Sequence, residues 1–360
     1  MGEFNSTVTL ADVASIASVS KMTVSNVING KTGMSEETRQ RVLRAIAQSG
    51  YVANSAARVL AGQSMNLLGV ILPQLDSAYV NEIILGASTT AEKNGFDLAI
   101  FTTSSNVRRE RERATLLRSL ADGVLLVLPV ADEHQIFMNN VPVVTINADG
   151  PYTVLADNKH GGRLAAEHLL GLGHKRIANI RFPNKTINPK EDTLYVPRED
   201  VLERQESFLQ TLLEAGIVTP QEYLIDCNTI DVRVERSSQE AGLKLLRLPE
   251  PPTAIFATSD EMAFGVFRAA QALGLQVPDD VSIIGFDDIP QSAHSNPPLT
   301  TVRQPLREMG SAAVQLLSNL ARGETPTEPH PCFPTSLIVR QSTAAPNTQS
   351  RADKVLELRR

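Results

Sequence analysis

The chain has 360 residues, 42% of them hydrophobic and 21% charged, with a formal net charge of −6. At roughly 100–200 residues per domain this means two or three domains, with cores large enough to need no disulfide staples. Two cysteines, Cys227 and Cys332, are too few for a disulfide framework or a four-thiolate zinc cluster, and read as free thiols in a reducing compartment. The opening MGEFNSTVTLADVA has neither a basic n-region nor an apolar core, so no signal peptide is expected. Runs such as LLGVILP fall far short of a membrane span. Secreted, membrane, collagen-like and mainly disordered classes are excluded, leaving a cytoplasmic protein. The charge is uneven. Residues 1–62 hold six basic groups (Lys21, Lys31, Arg39, Arg41, Arg44, Arg58) and four acidic ones (Glu3, Asp12, Glu36, Glu37), a small positive head on an acidic remainder. Such a division confines phosphate contacts to the head.

Residues 8–53 read as three short helices. Thr9 is a cap candidate before Leu10, Val13, Ala14 and Ala17. After Ser18-Val19, Ser20 caps a second helix with Val24 and Val27 inward, ended by Asn29-Gly30. Ser35 opens a third, with Val42, Leu43, Ile46 and Ala47 as its apolar positions and Gly50 as its stop. The alanine-rich stretch 54–64 is a weak helix and a linker. From Met65 the pattern alternates: strands in LLGVILP, DLAIFTT, GVLLVLP, VPVVTIN, RIANIRF, TAIFATSD and VSIIGFDD, and helices over about 82–94, 109–120, 160–172, 203–215 and 262–273. Continuous apolar strands between such helices predict parallel sheets covered on both faces, too many strands for one sheet and enough for two doubly wound lobes with a ligand crevice at the strand ends. SNPPLTTVRQP and RGETPTEPHPCFPTS read as loops, 183–202 as a long loop at the crevice mouth, and 344–360 as a flexible tail.

Two short helices with a tight turn form a helix-turn-helix, whose second helix puts its N-terminal residues into the major groove. Lys21, Met22, Ser25 and Asn26 are the expected base readers: Lys for guanine, Asn for adenine, Met against a thymine methyl. Thr9, Ser20, Thr23 and Ser35 suit phosphate contacts, and Asn29 closes the motif.

VTLADVA, VSKMTVSNVING, TRQRVLRAIAQSGYVANSAARVLAGQS, LLGVILP, VPDDVSIIGFDDIP and PPLTTVRQP, in this order, resemble the lactose repressor family of bacterial regulators over about residues 8–340. The resemblance implies a small all-α helix-turn-helix head plus an α/β body of two doubly wound lobes like a periplasmic sugar-binding protein. It divides the chain into a DNA-binding domain (8–53), a hinge helix (54–64) and an effector-binding and dimerisation body (65–343). The N-lobe is expected over about 65–160 and 290–325, the C-lobe over about 161–289 and 326–343. Asn54, Ala57 and Leu60 match hinge positions, with Leu60 wedging into the minor groove. Two departures stand out: Ser18 replaces the usual turn glycine, and Asn26 replaces an arginine that reads guanine, which predicts an altered half-site.

For the effector, Arg204, Ser259, Asp260 and Asp287 match family positions, an arginine and carboxylates suited to vicinal hydroxyls. Ser207 replaces a family glycine, and Phe208 keeps the aromatic beside it. Tyr79 is placed to stack on a sugar face, and Asn147 and Asp149 to close the crevice. The implied protein is a homodimeric regulator, a repressor of a pseudo-palindromic operator, controlled by a small-molecule effector, a sugar or sugar derivative, with no cofactor, metal or membrane partner. A corepressor-dependent regulator is the alternative within this class. A solute-binding transport component would need a signal peptide, and a sugar-modifying enzyme would need Asp260 and Asp287 as paired catalytic carboxylates. No P-loop, GxGxxG or HExxH motif is present.

Overall fold

A computed structural model describes residues 8–28, 32–51, 64–129, 141–183, 200–227 and 234–347, and the backbone of 186–188, 193–195 and 199. The chain divides into two units, Met1–Met65 and Asn66–Arg360. Residues 52–63 lie outside the described set, and with them the hinge positions Asn54, Ala57 and Leu60; so does Asn29.

The first unit holds α1 (Leu10–Ile16), α2 (Lys21–Ile28) and α3 (Glu36–Ser49). Thr9 and Asp12 form a capping box that starts α1. Ser35 caps α3, and Gly50, at φ +64°, ends it. The thin core is Val13, Ala14, Ala17, Val24, Val27, Val42 and Ala45. The expectation for α3 needs correcting: Leu43 is 43% exposed and Ala47 is exposed, while Val42, Ala45 and Ile46 form the inward stripe. These positions are three and four apart, the spacing of one helix face.

The second unit carries two six-stranded sheets. The first contains, in spatial order, β13 (Cys332–Phe333), β5 (Thr153–Ala156), β4 (Val143–Ile146), β3 (Gly123–Val127), β1 (Leu67–Leu72) and β2 (Asp97–Thr102), every pairing parallel. The second runs β14 (Ser336–Ile338), β12 (Thr300–Arg303), β11 (Ser282–Asp287), β10 (Ala254–Ala257), β6 (Ile177–Arg181) and β9 (Leu224–Asp226), parallel except for β14. α4 (Ala78–Lys93) and α10 (Leu306–Ala321) pack on the first sheet through a core that includes Leu68, Ile83, Leu125, Val144, Met309 and Leu317, and α5 (Val107–Leu120) covers its other face. The second sheet lies between α6 (Asn158–Gly171) and α7 (Glu199–Glu214) on one side and α8 (Val234–Leu246) and α9 (Asp260–Ala272) on the other. Sheets buried on both faces explain the unbroken apolar strands, since each fully buried large side chain contributes roughly 1.5–3 kcal/mol.

The lobe boundaries differ from expectation. β12 stays in the second sheet, paired Asp287 to Arg303, so the return to the first lobe comes after Arg303 and not at 290. β13 then joins the first sheet and β14 the second, so the final crossing falls between Phe333 and Ser336 and not at 326. The PPLTTVRQP stretch read as loop because its prolines flank a strand of only four residues. The 183–202 segment contains two short antiparallel strands, β7 (Thr186–Asn188) and β8 (Thr193–Tyr195), where a loop was expected. The start of the expected tail is also fixed: Ala344 accepts from the Ser282 hydroxyl at 3.0 Å and returns its N–H to the same oxygen.

Candidate functional site

In the head, α2 presents what its sequence predicts. Val24 and Val27 are buried, Lys21 is exposed, and Met22 is 69% exposed, a large apolar side chain left in water. Ser25 and Asn26 are half-buried on the same helix. Ser20 is exposed and caps α2, its Oγ accepting from the Thr23 N–H at 3.1 Å while the two hydroxyls share a bond of 2.9 Å. Thr9 donates its N–H and its hydroxyl to Asp12 Oδ2, which holds the Asp12 carboxyl below its ordinary range. Ser35 is used in the same way, accepting from the Thr38 N–H. The expected phosphate ligands thus double as helix caps, which fixes where each helix begins. Ser18 takes φ +52° in the turn between α1 and α2, a left-handed conformation that glycine adopts more readily.

In the second unit the strand ends converge on a chain of polar groups. Asn147 follows β4 at φ +49° and is buried. Its Oδ1 accepts from the Ala156 N–H. Its Nδ2 donates to the Tyr79 hydroxyl at 3.0 Å and to Gln304 Oε1 at 3.2 Å. Gln304 stands on the crossover between β12 and α10 and donates through Nε2 to Asp287 Oδ1 at 2.7 Å. Arg204 Nη1 lies 3.7 Å from the same oxygen. The chain runs from the first helix of one lobe to the floor of the other.

Arg204 is set by packing. Its Nε and Nη2 donate to Asn158 Oδ1 at 3.1 and 2.8 Å, and its Nη1 to the Thr258 carbonyl at 2.5 Å. Its guanidinium carbon lies 3.5 Å from the Phe286 ring centroid, a cation–π contact. α6 and α7 meet closely enough that a Cβ at Gly162 would lie 2.2 Å from the Arg204 carbonyl oxygen. Asp287 is held at φ +120° and Asp288 at φ +57°, two successive left-handed residues at the end of β11. Asp288 anchors this turn by accepting from Arg303 Nε at 2.7 Å and Arg340 Nη2 at 2.6 Å. Such conformations persist only where their surroundings over-determine them, and they gather at ligand sites. Burial pushes the Asp287 carboxyl well above its usual range, more than the nearby Arg204 pulls it down, and Asp260 adds to the rise.

Of the seven expected effector residues, Tyr79, Asn147, Arg204 and Asp287 join this chain. Ser259 caps α9 by accepting from the Met262 N–H at 3.2 Å. Asp260 turns inward: its carboxylate accepts from the Ile289 N–H (3.0 Å), Ser292 (2.6 Å) and Thr301 (2.5 Å). Burial outweighs these three donors and raises its pKa to about 7. Asp149 is exposed on the turn after Asn147 and takes no part in the chain. Phe208 is a core residue whose ring lies tilted against Phe256 with centroids 4.4 Å apart, and the Ser207 hydroxyl ties α7 to the Lys159 carbonyl. Gln304, Asn158 and Asp288 were missed. The signal for Gln304 was its position between a strand and Pro305. Nothing local marked Asn158, whose role depends on α6 meeting α7. Beside the chain, a cavity of about 540 Å³ opens between the lobes, lined by Asp76, Ala78, Glu261, Phe264, Ile289 and Pro290 among others.

Residues 9–54 match the model of bacterial regulatory proteins of the lacI family, and residues 166–343 that of a periplasmic binding protein-like domain. The regulator DegA of Bacillus subtilis strain 168 is 32% identical over 94% of this chain and 99% of its own. The chain belongs to the lacI family of bacterial regulatory proteins. This lacI-family regulator is similar in structure to the lac repressor dimer bound to operator and the anti-inducer ONPF, with a TM-score of 0.79, 29% identity, and 94% and 100% of the two chains covered. It is also similar to the regulator CelR in complex with cellobiose, at a TM-score of 0.65, 31% identity, and coverage of 93% and 99%. It is a DNA-binding transcriptional regulator with a helix-turn-helix head and a two-lobed periplasmic-binding-like body. Among the described residues no helix is long and apolar enough to cross a membrane.

Proposed function

We propose that this regulator binds a pseudo-palindromic operator in the cytoplasm as a homodimer, and that a sugar or sugar derivative bound between the lobes changes its operator affinity. Lys21, Met22, Ser25 and Asn26 read bases. Thr9, Ser20 and Thr23 position the head on phosphates. Tyr79, Asn147, Gln304, Asp287 and Arg204 form the effector site. The observation that carries this reading is the hydrogen-bonded chain from Tyr79 to Asp287, because it ties both lobes to one small set of polar groups. A ligand that replaces the Asn147–Gln304–Asp287 bonds with its own must alter how the lobes are held, and a ligand can shift such an equilibrium only through contacts that differ between its states. By linkage, operator DNA alters effector affinity by the same factor. The cellobiose held by CelR is consistent with a hydroxyl-rich ligand here.

A melting-temperature screen of the full chain against sugars and metabolites tests this, since a ligand bound only by the folded state raises the melting temperature by mass action. A hit is then titrated into the operator complex, where release marks induction and tightening marks corepression. A hit that leaves operator affinity unchanged would defeat the reading.

A further inference from the structure

We infer that the crevice selects an uncharged ligand that brings hydroxyl donors, and discriminates against the phosphate ester of the same sugar. This rests on the effector site proposed above and narrows what that site accepts. A phosphate is held by N–H donors offered in pairs with a net positive field behind them. Among the described residues Arg204 is the cation of the polar chain, and it is already committed. Three of its five N–H donors go to Asn158 and the Thr258 carbonyl, one face lies on Phe286, and Asp287 stands beside Nη1. Turning it towards a phosphate would strand Asn158 Oδ1 and a buried carbonyl without their donors.

The field points the same way. Asp287 is buried beside Arg204, Asp260 lies behind it, and the neighbouring cavity adds Asp76, Glu235 and Glu261 against Arg268, which is paired with Glu235 at 2.7 Å, so among the described residues carboxyl groups outnumber the two guanidiniums. A dianionic ester placed here enters a site whose burial already disfavours negative charge on Asp287 and Asp260, with the Arg204 donors committed elsewhere. A hydroxyl meets what it needs. A carboxylate has about four acceptor positions, and among the described residues Gln304 supplies the hydrogen bond that Asp287 accepts. The Tyr79 and Asn147 groups, which now satisfy each other, offer the ligand an acceptor and donors once exchanged.

The test is titration calorimetry of the full-length protein with a broad panel of mono- and disaccharides, each sugar measured beside its phosphate monoester, including glucose with glucose 6-phosphate and ribose with ribose 5-phosphate. The expected result is that the neutral member binds at least thirtyfold tighter. An ester that binds as well as its parent or better overturns this inference and leaves the sugar reading standing. Silence from every sugar and every ester overturns the sugar reading and this inference with it. Asp287→Asn, checked for folding by circular dichroism, should narrow the ratio at least fivefold. A ratio that does not move removes Asp287 as its source, while the wild-type comparison stands without any variant.

Discussion

Gln304 Nε2 donates to Asp287 Oδ1 at 2.7 Å, and the two residues belong to the end of the second sheet and the segment that leaves it for the first. The backbone reinforces the pairing, since the Gln304 N–H also donates to the Asp287 carbonyl at 3.3 Å. One step further, Asp288 clamps Arg303, the residue before Gln304. The crossover between lobes is therefore held to the strand end that carries the site's carboxylate.

Gln304→Ala removes the only side chain that touches both Asn147 and Asp287 among the described residues. Leaving a buried polar partner unsatisfied costs about 1–3 kcal/mol, so effector affinity should fall roughly fivefold to hundredfold. The melting temperature should fall by a few degrees, about 2–4 °C per kcal/mol for a body of this size. Operator binding without effector should persist. Anisotropy titrations with a labelled operator, with and without effector, check both halves, and an unchanged effector response would remove Gln304 from the site.

Asp260 gives a pH signature. Its folded pKa, about 7, lies above the carboxylate's ordinary value near 3.8, and Asp287 is raised in the same direction. The folded state thus binds more protons than the unfolded state between these limits. By linkage this stabilisation is complete below pH 4 and is lost as pH rises towards 7. The wild-type melting temperature should carry this downward component between pH 4 and 7, and Asp260→Asn should flatten it. Parallel curves for the two proteins would assign the raised pKa elsewhere.

Much of this was legible from sequence because it depends on local rules. Unbroken apolar runs announced buried parallel strands, and Thr9, Ser20, Ser35 and Gly50 marked helix ends. The site was half legible: Arg204 and Asp287 were named, but Asp260 was given the same role although it is consumed by Ile289, Ser292 and Thr301. Adjacent positions in the sequence did not reveal which carboxylate faces inward, because that is decided by the distant β11–β12 pairing and by Gly285, whose missing Cβ would lie 2.2 Å from Asp260 Oδ1. Asn158 was invisible for the same reason, as its partner Arg204 is 46 residues away, and the position of Gln304 before Pro305 did not reveal a partner 157 residues away, Asn147.

Ser18→Gly should stabilise the head. Ser18 is exposed at φ +52°, and its N–H makes the turn bond to the Ser15 carbonyl that glycine also makes. A left-handed conformation costs an L-residue roughly 1–2 kcal/mol, part of which glycine returns as unfolded-chain entropy. The expected gain is about 0.5–1 kcal/mol in head unfolding, measured by amide exchange in α1 and α2, with operator affinity unchanged. A loss of protection would mean that the serine hydroxyl holds the turn.

Lys21, exposed, and Asn26, half-buried, lie on the same helix but should differ in what they read. Lys21 is placed to read guanine, so Lys21→Ala should relax the preference for guanine at one symmetric pair of positions by about 1–3 kcal/mol, whereas an even weakening of all sequences would place it on phosphate. Asn26 carries an amide suited to adenine N6 and N7, where an arginine would take guanine O6 and N7. Asn26→Arg should therefore shift the preferred base at one symmetric pair of operator positions from adenine to guanine, by about 1–3 kcal/mol per half-site. Selection from a randomised duplex library with each protein reads this directly. A shift confined to the position facing Asn26 assigns it to base readout, whereas a uniform gain across the library would place residue 26 on the backbone and leave the half-site to Lys21, Met22 and Ser25.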